Sequence, residues 1–463
     1  MQLPKIIYTI SKQLKEQNAK AIVVGGSVRD HFLKLPIKDY DIEVFGLETI
    51  EALEAILSNY GSVNLVGKSF GVLKFRYEGE EYDFSFPRRE EKVGVGHKGF
   101  DVEVDGAMDF KEASLRRDFT LNAMGYDIEE ALFLDPYGGR DDMQNKLLRH
   151  IDEHTFVEDP LRVYRAVQFS ARFGYALCDE TIELCKTMVL NGMLEELAKE
   201  RIYVEFKKLL IKSPKPSVGF ELMRVLGVLR YFPELESLIG VPQSVVWHPE
   251  GDVWIHTMMC VDKMVALFGE DEKLNLKYIF AVLCHDLGKV THTTIEEDGR
   301  IRAIGHEEAG VEPTRTFLYR ITNEHDFITS ILPLVEHHLK PSQFYRGKSG
   351  DRAFRKLATK VNIEELVVVA KADFLGRTTK ESLLGVYHAG EWMLERAKFL
   401  KVESKPLSAL VQGRDLIALG LKPSPAFKKI LEELYDFQLE GKISKKEEAL
   451  EYIKENYLKD IYE

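Results

Sequence analysis

At 463 residues the chain is too long for one ordinary hydrophobic core, which points to two to four domains. Its balance of 45% hydrophobic and 30% charged residues, with no run of 18 apolar residues, excludes a membrane-spanning protein. A net charge of −12 excludes a uniformly nucleic-acid-binding surface and leaves a local basic face as the only route to RNA. Lys5, Lys12 and Lys15 break up the N-terminus against a signal peptide. The four cysteines, Cys178, Cys185, Cys260 and Cys284, form no CxxC pair, so reduced, buried thiols in a cytoplasmic protein are expected.

Residues 1–150 mix strands and helices. Strands are predicted at 21–24, 40–45, 71–77 and 81–86, with helical stretches such as 48–58 between them. From 151 to 240 the apolar spacing turns helical, over 159–173, 179–190, 199–211 and 217–229, with Pro214 and Pro216 as punctuation. A second change comes at Pro242–Pro249. Residues 254–398 then read as all-helical, within a segment taken as 241–398, and 399–463 is helical and rich in Lys and Glu. The predicted class is α+β: a small mixed-sheet head followed by a long all-α remainder.

The stretch VVGGSVRDHFLKLPIKDYDIEVFG, residues 23–46, carries the first chemistry. Residues two apart on a strand share a face, so Asp39 and Asp41 project together. Paired carboxylates repel unless a cation lies between them, and an oxygen-only donor set suits Mg²⁺. Gly25 and Gly26 let backbone N–H groups approach a triphosphate, and Arg29 can neutralise it. The combination fits metal-assisted phosphoryl or nucleotidyl transfer; the plainer alternative is an acidic surface strand after a turn.

GGSVRD followed by KDYD resembles the signature of class II tRNA nucleotidyltransferases and bacterial poly(A) polymerases, in the polymerase-β-like superfamily. The likeness continues in order through GKSFGVLKF (67–75), LRRDFTLNAMGYD (115–127), DPYGGRDDMQNKLLRH (135–150), EDPLRVYRAVQFSARFGY (158–175) and LAKERIYVEFKKLL (197–210). The resemblance implies a polymerase-β-like head in which Asp39 and Asp41 are the metal-binding catalytic pair, and Gly25, Gly26, Arg29 and Arg117 meet the nucleotide. It leaves Glu43 either behind the metal ligands or facing solvent. Asp83, on a predicted neighbouring strand, is either a third metal carboxylate or none.

Asp159 and Arg162 are three apart, and Pro160 suits a helix's first turn with Asp159 as N-cap. On a structural reading Asp159 caps and Arg162 pairs with Glu158. On a functional one, a carboxylate and a guanidinium match the Watson–Crick edges of cytosine or adenine and mismatch guanine and uracil. The resemblance implies the second role, with this pair replacing a nucleic-acid template. Arg165 and Gln168 continue the same face at steps of three. The family usually has Arg at both positions, reaching the triphosphate, so Gln168 lacks a charge that Arg172, a turn away, can supply. Segment 88–105 resembles the mobile loop of CCA-adding enzymes.

In the second half, FAVLCHDLGKV (280–290) places His285 and Asp286 at the end of an apolar helix. With His256, His306, the pair His337 and His338, and Asp373 they form a mixed N/O donor set suited to Mn, Ni, Fe or Co; core histidines of a plain helix bundle are the alternative. The set resembles the HD phosphohydrolase superfamily, and VPQSVVWHPEGDVWIHT (241–257) resembles the junction of CCA-adding enzymes fused to an HD domain. His256, His285, Asp286 and Asp373 would be the core ligands, with His306 and either His337 or His338 making the site binuclear. Phosphatase, 2′-nucleotidase and 2′,3′-cyclic phosphodiesterase activities are implied.

GRDLIALGLKPSP, within 408–455, resembles the C-terminal segment that meets the tRNA elbow. Lys422, Lys428 and Lys429, and the group Lys207, Lys208, Lys212 and Lys215, would contact phosphates by shape; ordinary solvated lysines are the alternative. Together the resemblances imply a cytoplasmic CCA tRNA nucleotidyltransferase using CTP, ATP and tRNA, with Mg²⁺ in the head and a transition metal in the HD domain. A poly(A) polymerase, or a CC-only or A-only enzyme, shares these motifs. A homodimer through the HD domain is compatible with them.

Overall fold

A computed structural model describes residues 1–37, 39–66, 71–92 and 100–458, which form two compact units, Met1–Arg230 and Tyr231–Glu463. The first unit is organised by a seven-stranded sheet. Its strands are β1 (Lys20–Val24), β2 (Tyr40–Phe45), β3 (Ser62–Val66), β4 (Val72–Tyr77) and β5 (Glu80–Ser85), then, after a separate antiparallel pair β6 (Arg88–Lys92) and β7 (Phe100–Val104), the short β8 (Gly125–Asp127) and β9 (Leu132–Leu134). The order across the sheet is β3-β4-β5-β2-β1-β8-β9.

Composition sets the middle of this sheet. β1 reads KAIVV and is buried from Ala21 to Val24, and β2 is buried from Ile42 to Phe45. Continuous apolar runs of this kind belong to strands covered on both faces. Helix Lys5–Glu16 covers part of the sheet with Ile6, Ile7, Ile10 and Leu14, one stripe of a 3.6-residue period. Thr49 caps Ile50–Ser58 by accepting from the Ala52 N–H at 3.3 Å. The four predicted strands correspond to β1, β2, β4 and β5. β8 and β9, three residues each, are too short to show a period.

Register places the acids. β1 runs antiparallel to β2 with Val24 opposite Asp41, and β5 runs parallel to β2 with Asp83 opposite Asp41. Behind the sheet come helices Leu161–Phe173, Asp179–Leu190, Lys199–Lys212 and Pro216–Leu226, close to their predicted spans. Asp159 is extended (φ −118°, ψ 99°), as both a residue before proline and a capping residue are, and Pro160 after it is already helical (φ −60°, ψ −16°). The Asp159 carboxylate accepts from the Leu161 N–H at 3.1 Å, so it caps the first turn of helix Leu161–Phe173 as expected.

The second unit is helical apart from a two-residue ribbon, Thr294–Ile295 with Ile301–Arg302, which interrupts the stretch predicted as all-helical. Helices Val253–Val265, Glu272–Cys284, His325–His337 and Ile363–Gly376 carry the conspicuous histidines and aspartates or end beside them. Asp252, Asp271 and Asn362 cap three of them through side-chain acceptance from backbone N–H groups. Helices Gly413–Ala418, Ala426–Glu440 and Lys446–Tyr457 enclose a separate small core of Val411, Leu416, Ile430, Leu434 and Ile453. Among the described residues no helix is long and apolar enough to cross a membrane.

Candidate functional site

The first unit contains a cleft of about 480 Å³ lined by Gly25, Gly26, Asp41, Asp118, Asp159, Gln168, eight arginines and two lysines. Ten cations against three carboxylates make it a local basic surface on an acidic body. Gly25 is required at its floor: φ is +71°, and a Cβ there would lie 2.7 Å from an Arg117 Nη. Asp41 opens onto the cleft. Protein around its carboxylate raises its pKa, Arg117 opposes that, and the charges of Asp83, Asp39 and Glu43 add to the rise. A cation beside Asp41 would relieve that cost of ionisation. Asp39, exposed and immediately before β2, is not among the cleft-lining residues. Asp83 lies 3.6 Å from Lys74 Nζ.

Glu43 is buried rather than solvent-facing. Its Oε1 lies 2.5 Å from Arg116 and 3.1 Å from Arg117. It thus fixes two arginines of the cleft. A second carboxylate, Asp118, does the same on the opposite wall. It accepts from Arg165 Nε at 2.7 Å and from Asn122 Nδ2 at 2.8 Å, while Asn122 accepts from Arg29 at 2.7 Å. Burial alone would raise the Asp118 pKa, but Arg165, Asn122 and Arg162 outweigh it and hold it below the ordinary value. Arg29 lies over Phe169 and Phe173 at 5.4 and 4.9 Å.

Asp159 and Arg162 both line the cleft, each held by a different neighbour. Asp159 pairs with Arg201 at 3.0 Å, and Arg162 donates to the backbone carbonyls of Thr155 (2.7 Å) and Arg116 (2.5 Å). Pairing of Arg162 with Glu158 is replaced by those carbonyl bonds. Gln168 is buried at 1% exposure, and its Oε1 has no hydrogen-bond partner. Arg172 lines the same cleft.

The second unit gathers a buried cluster. His285 and His338 each place Nδ1 against the carbonyl three residues earlier, at 2.6 and 2.7 Å, and His306 does so at 2.6 Å. The three Nε2 atoms are thereby aimed inward, buried and without hydrogen-bond partners. Around them, His285 and His306 Nε2 each lie 3.2 Å from Asp286, His338 Nε2 lies 4.0 Å from it, and His256 Nε2 lies 3.1 Å from Asp373. Imidazole acceptors crowded against carboxylates fit residues arranged around shared cations. Gly288 makes this packing possible: a Cβ there would sit 2.0 Å from the His306 carbonyl oxygen.

Burial and the neighbouring His285 and His306 push His338 down to about 3, so its imidazole is neutral and able to ligate. Burial would raise Asp286, but His285 and Lys289 hold it well below the ordinary range; Arg377 does the same for Asp373. His337 stands outside the cluster, its Nε2 3.7 Å from Glu336. Consecutive residues of a helix diverge by about 100°, so the chain aims only one of the two inward, and it is His338. Of the two histidines the sequence left open, His338 is the one in the cluster.

A model of the "Poly A polymerase head domain" matches residues 21–149, one of the "Probable RNA and SrmB- binding site of polymerase A" matches 174–239, and an HD domain model matches 253–377. The first two matches give residues 21–149 and 174–239 a poly(A) polymerase-type head and RNA-binding segment, and the third gives residues 253–377 an HD domain. Among solved structures, the CCA-adding enzyme of Bacillus stearothermophilus in complex with CTP is 22% identical, covers 100% of both chains and superposes with a TM-score of 0.69. The Thermotoga maritima CCA-adding enzyme complexed with tRNA is 21% identical over 98% of this chain and 95% of that one, with a TM-score of 0.60. A CCA-adding enzyme with ATP is 21% identical over 97% and 93%, with a TM-score of 0.63. At these identities the likeness is one of fold, a mixed-sheet head followed by helices.

In the first unit the structure brings Gly25, Gly26, Arg29, Asp41 and Arg117 of the head together with Asp159, Arg162, Arg165 and Gln168 of the helices that follow it, around one cleft. In the HD domain it gathers His256, His285, Asp286, His306, His338 and Asp373. Segments 67–70 and 93–99, parts of the GKSFGVLKF block and of the 88–105 loop, lie outside the described residues. Sequence reasoning missed Asp118, Arg201, Glu250 and Cys260. Asp118 was visible in RRDFT and Arg201 in KERIY, but nothing local said that they anchor cleft residues. Glu250 holds His256 Nδ1 at 2.8 Å and accepts from the Thr378 N–H at 3.0 Å. Cys260, one turn after His256, has its Sγ 3.3 Å from His256 Nε2.

Proposed function

We propose that the chain is a tRNA nucleotidyltransferase that adds or repairs the 3′-terminal CCA from CTP and ATP, releasing pyrophosphate, with a metal-dependent phosphohydrolase fused behind it. The observation that carries this reading is the basic cleft, where Asp41 faces a wall of arginines and Asp159 and Arg162 stand within the same 480 Å³. Segments 1–150, 151–240, 241–398 and 399–463 are read as head, neck, HD domain and tRNA-binding tail.

Gly25 and Gly26 admit the triphosphate, and Arg29, Arg117 and Arg165 balance its charge. Asp39 and Asp41, with Asp83 opposite Asp41, would hold Mg²⁺, which supplies activation of the tRNA 3′-hydroxyl and charge relief at the departing pyrophosphate. Asp159 accepts from the exocyclic amine of C or A while Arg162 donates to the ring acceptor, so base choice resides in protein. The Asp159–Arg201 ion pair and the two carbonyl bonds of Arg162 hold these side chains before a nucleotide arrives, which lowers the ordering cost of binding. In the HD domain His256, His285, Asp286, His306, His338 and Asp373 would hold one or two transition-metal ions, and Lys289, 2.7 Å from Asp286, stands ready to pair with a phosphate oxygen.

Incorporation into tRNA transcripts ending before the first C, after CC and after CCA tests the proposal, each with CTP, ATP or both. Growth of the truncated ends to CCA and then arrest is expected. ATP-driven extension past CCA would make the product poly(A), and extension of one truncated substrate alone would mean a CC-only or A-only enzyme. Asp41→Ala should lose at least about 10³-fold in kcat; retained incorporation would remove Asp41 from the reaction.

A further inference from the structure

The cavity over the histidine cluster, about 440 Å³, adjoins a second of about 690 Å³, and the two share Trp247, Arg346 and Arg377. Trp247 is 48% exposed and lines both cavities. The Arg346 guanidinium lies 4.7 Å over its ring, and among the described residues no carboxylate pairs with it, whereas Arg377 is committed to Asp373 at 2.7 Å. The indole is not adrift. Trp247 and His248 both donate from their backbone N–H groups to the Ser244 carbonyl, His248 lies 2.9 Å from Glu250, and Glu250 holds His256 of the cluster. The backbone that carries the ring is thus tied to the mouth of a buried donor cluster, and on one face of the ring lies a cation that no carboxylate among the described residues pairs with.

An aromatic surface beside a free guanidinium fits a ligand that joins a planar heteroaromatic ring to an anion. A phosphoester without a base would use only the cluster. We propose that Trp247 and Arg346 form a base-binding subsite of the HD cavity. It takes the nucleoside unit of a phosphoester, free nucleotide or RNA 3′ end, whose phosphate reaches the histidines. This rests on reading the cluster as a phosphohydrolase centre.

The test uses the full chain supplied with Mn²⁺ and two secondary-alcohol monoesters, adenosine 2′-phosphate and 2-phosphoglycerol, which differ in the base. The wild type is expected to favour the nucleotide in kcat/KM, chiefly through KM, and Trp247→Ala to cut that preference about tenfold, the worth of one stacked base. Arg346→Gln should reduce it in the same direction. Binding is read separately. Adenosine, which has no ester to cleave, should quench tryptophan emission saturably in the wild type and not in Trp247→Phe. A trinucleotide with a 2′-phosphate separates the sources: a lower KM than the mononucleotide's points to an RNA end, an equal one to free nucleotide. Hydrolysis without nucleotide preference, or a preference that survives Trp247→Ala, overturns the subsite and spares the phosphohydrolase reading. Quenching that depends on Trp247 without hydrolysis of either ester keeps the subsite and overturns the hydrolase. Neither signal overturns both.

Discussion

Asp118 shows how one residue of the head organises several. Its carboxylate holds Arg165 directly and Arg29 through Asn122. Asp118→Asn keeps the shape and removes the charge. We expect it to cost ~2–3 kcal/mol in denaturant unfolding, because the charged hydrogen bonds are lost while Arg165 remains partly solvated. The pH dependence has a defined sign. The folded-state pKa lies below the unfolded value of about 3.9, so this stabilisation is complete above that value and disappears as pH falls through the folded pKa. Unfolding followed from pH 7 to 2 should lack that component in Asp118→Asn. Gln168 offers the opposite case. Its Oε1 is buried without a partner, so Gln168→Leu should leave the melting temperature unchanged or raised. If the amide meets the nucleotide, KM for ATP and CTP should rise about fivefold, the worth of one hydrogen bond. An unaltered KM with unaltered stability would reduce Gln168 to filler.

Among the elements, the HD helices show what sequence carries and what it omits. The helices were legible from spacing and caps. His285, Asp286, His306 and Asp373 were legible because mixed imidazoles and carboxylates are rare among apolar helix residues. The choice between His337 and His338 was not legible, since it depends on the rotation of one helix against its neighbours. Glu250 was not legible either, because a glutamate in a Pro/Gly-rich junction looks solvated until its contact with His256 is known. In the head, the alternation of Asp39 and Asp41 predicted a shared face, yet only Asp41 lines the cleft, and Asp83 became its neighbour through a parallel pairing that no local pattern encodes. Two substitutions test how far the elements hold the cluster. Asp252→Ala removes the acceptor for the Ile255 N–H (2.9 Å) at the start of the helix bearing His256 and should cost ~1–2 kcal/mol, read by calorimetry. Gly288→Ala drives a methyl group into the His306 backbone, which cannot yield as a flexible side chain would. It should cost ~3 kcal/mol and lower metal content as His306 is displaced, while Asp252→Ala retains the metal.

On the scale of the molecule, the net charge of −12 and the proposed tRNA substrate stand in apparent conflict. Screening resolves it: at ~0.1 M salt, charges more than about 10 Å away count for little, so the cations beside the phosphates decide. Part of the cleft's positive charge is already spent on Glu43, Asp118 and Asp159. The exposed Lys428 and Lys429 of helix Ala426–Glu440, and Lys422 in the connection before it, offer further contacts, with Lys428 only loosely opposed by Glu432 at 3.8 Å. If six or more phosphates are met, tRNA affinity should fall about 10³-fold or more between 50 and 200 mM salt. Filter binding across that range checks it. Replacing Lys428 or Lys429 by Ala should flatten the plot of log K against log salt by about one unit each, with equal effect on different tRNAs, since phosphate contacts carry no sequence information. A salt-insensitive affinity would mean that the acidic body is not offset locally and that tRNA is not the polyanion this chain holds. A steep slope unchanged by the lysine replacements would place the phosphate contacts on the arginines and lysines of the head, and would leave the C-terminal helices without a part in holding RNA.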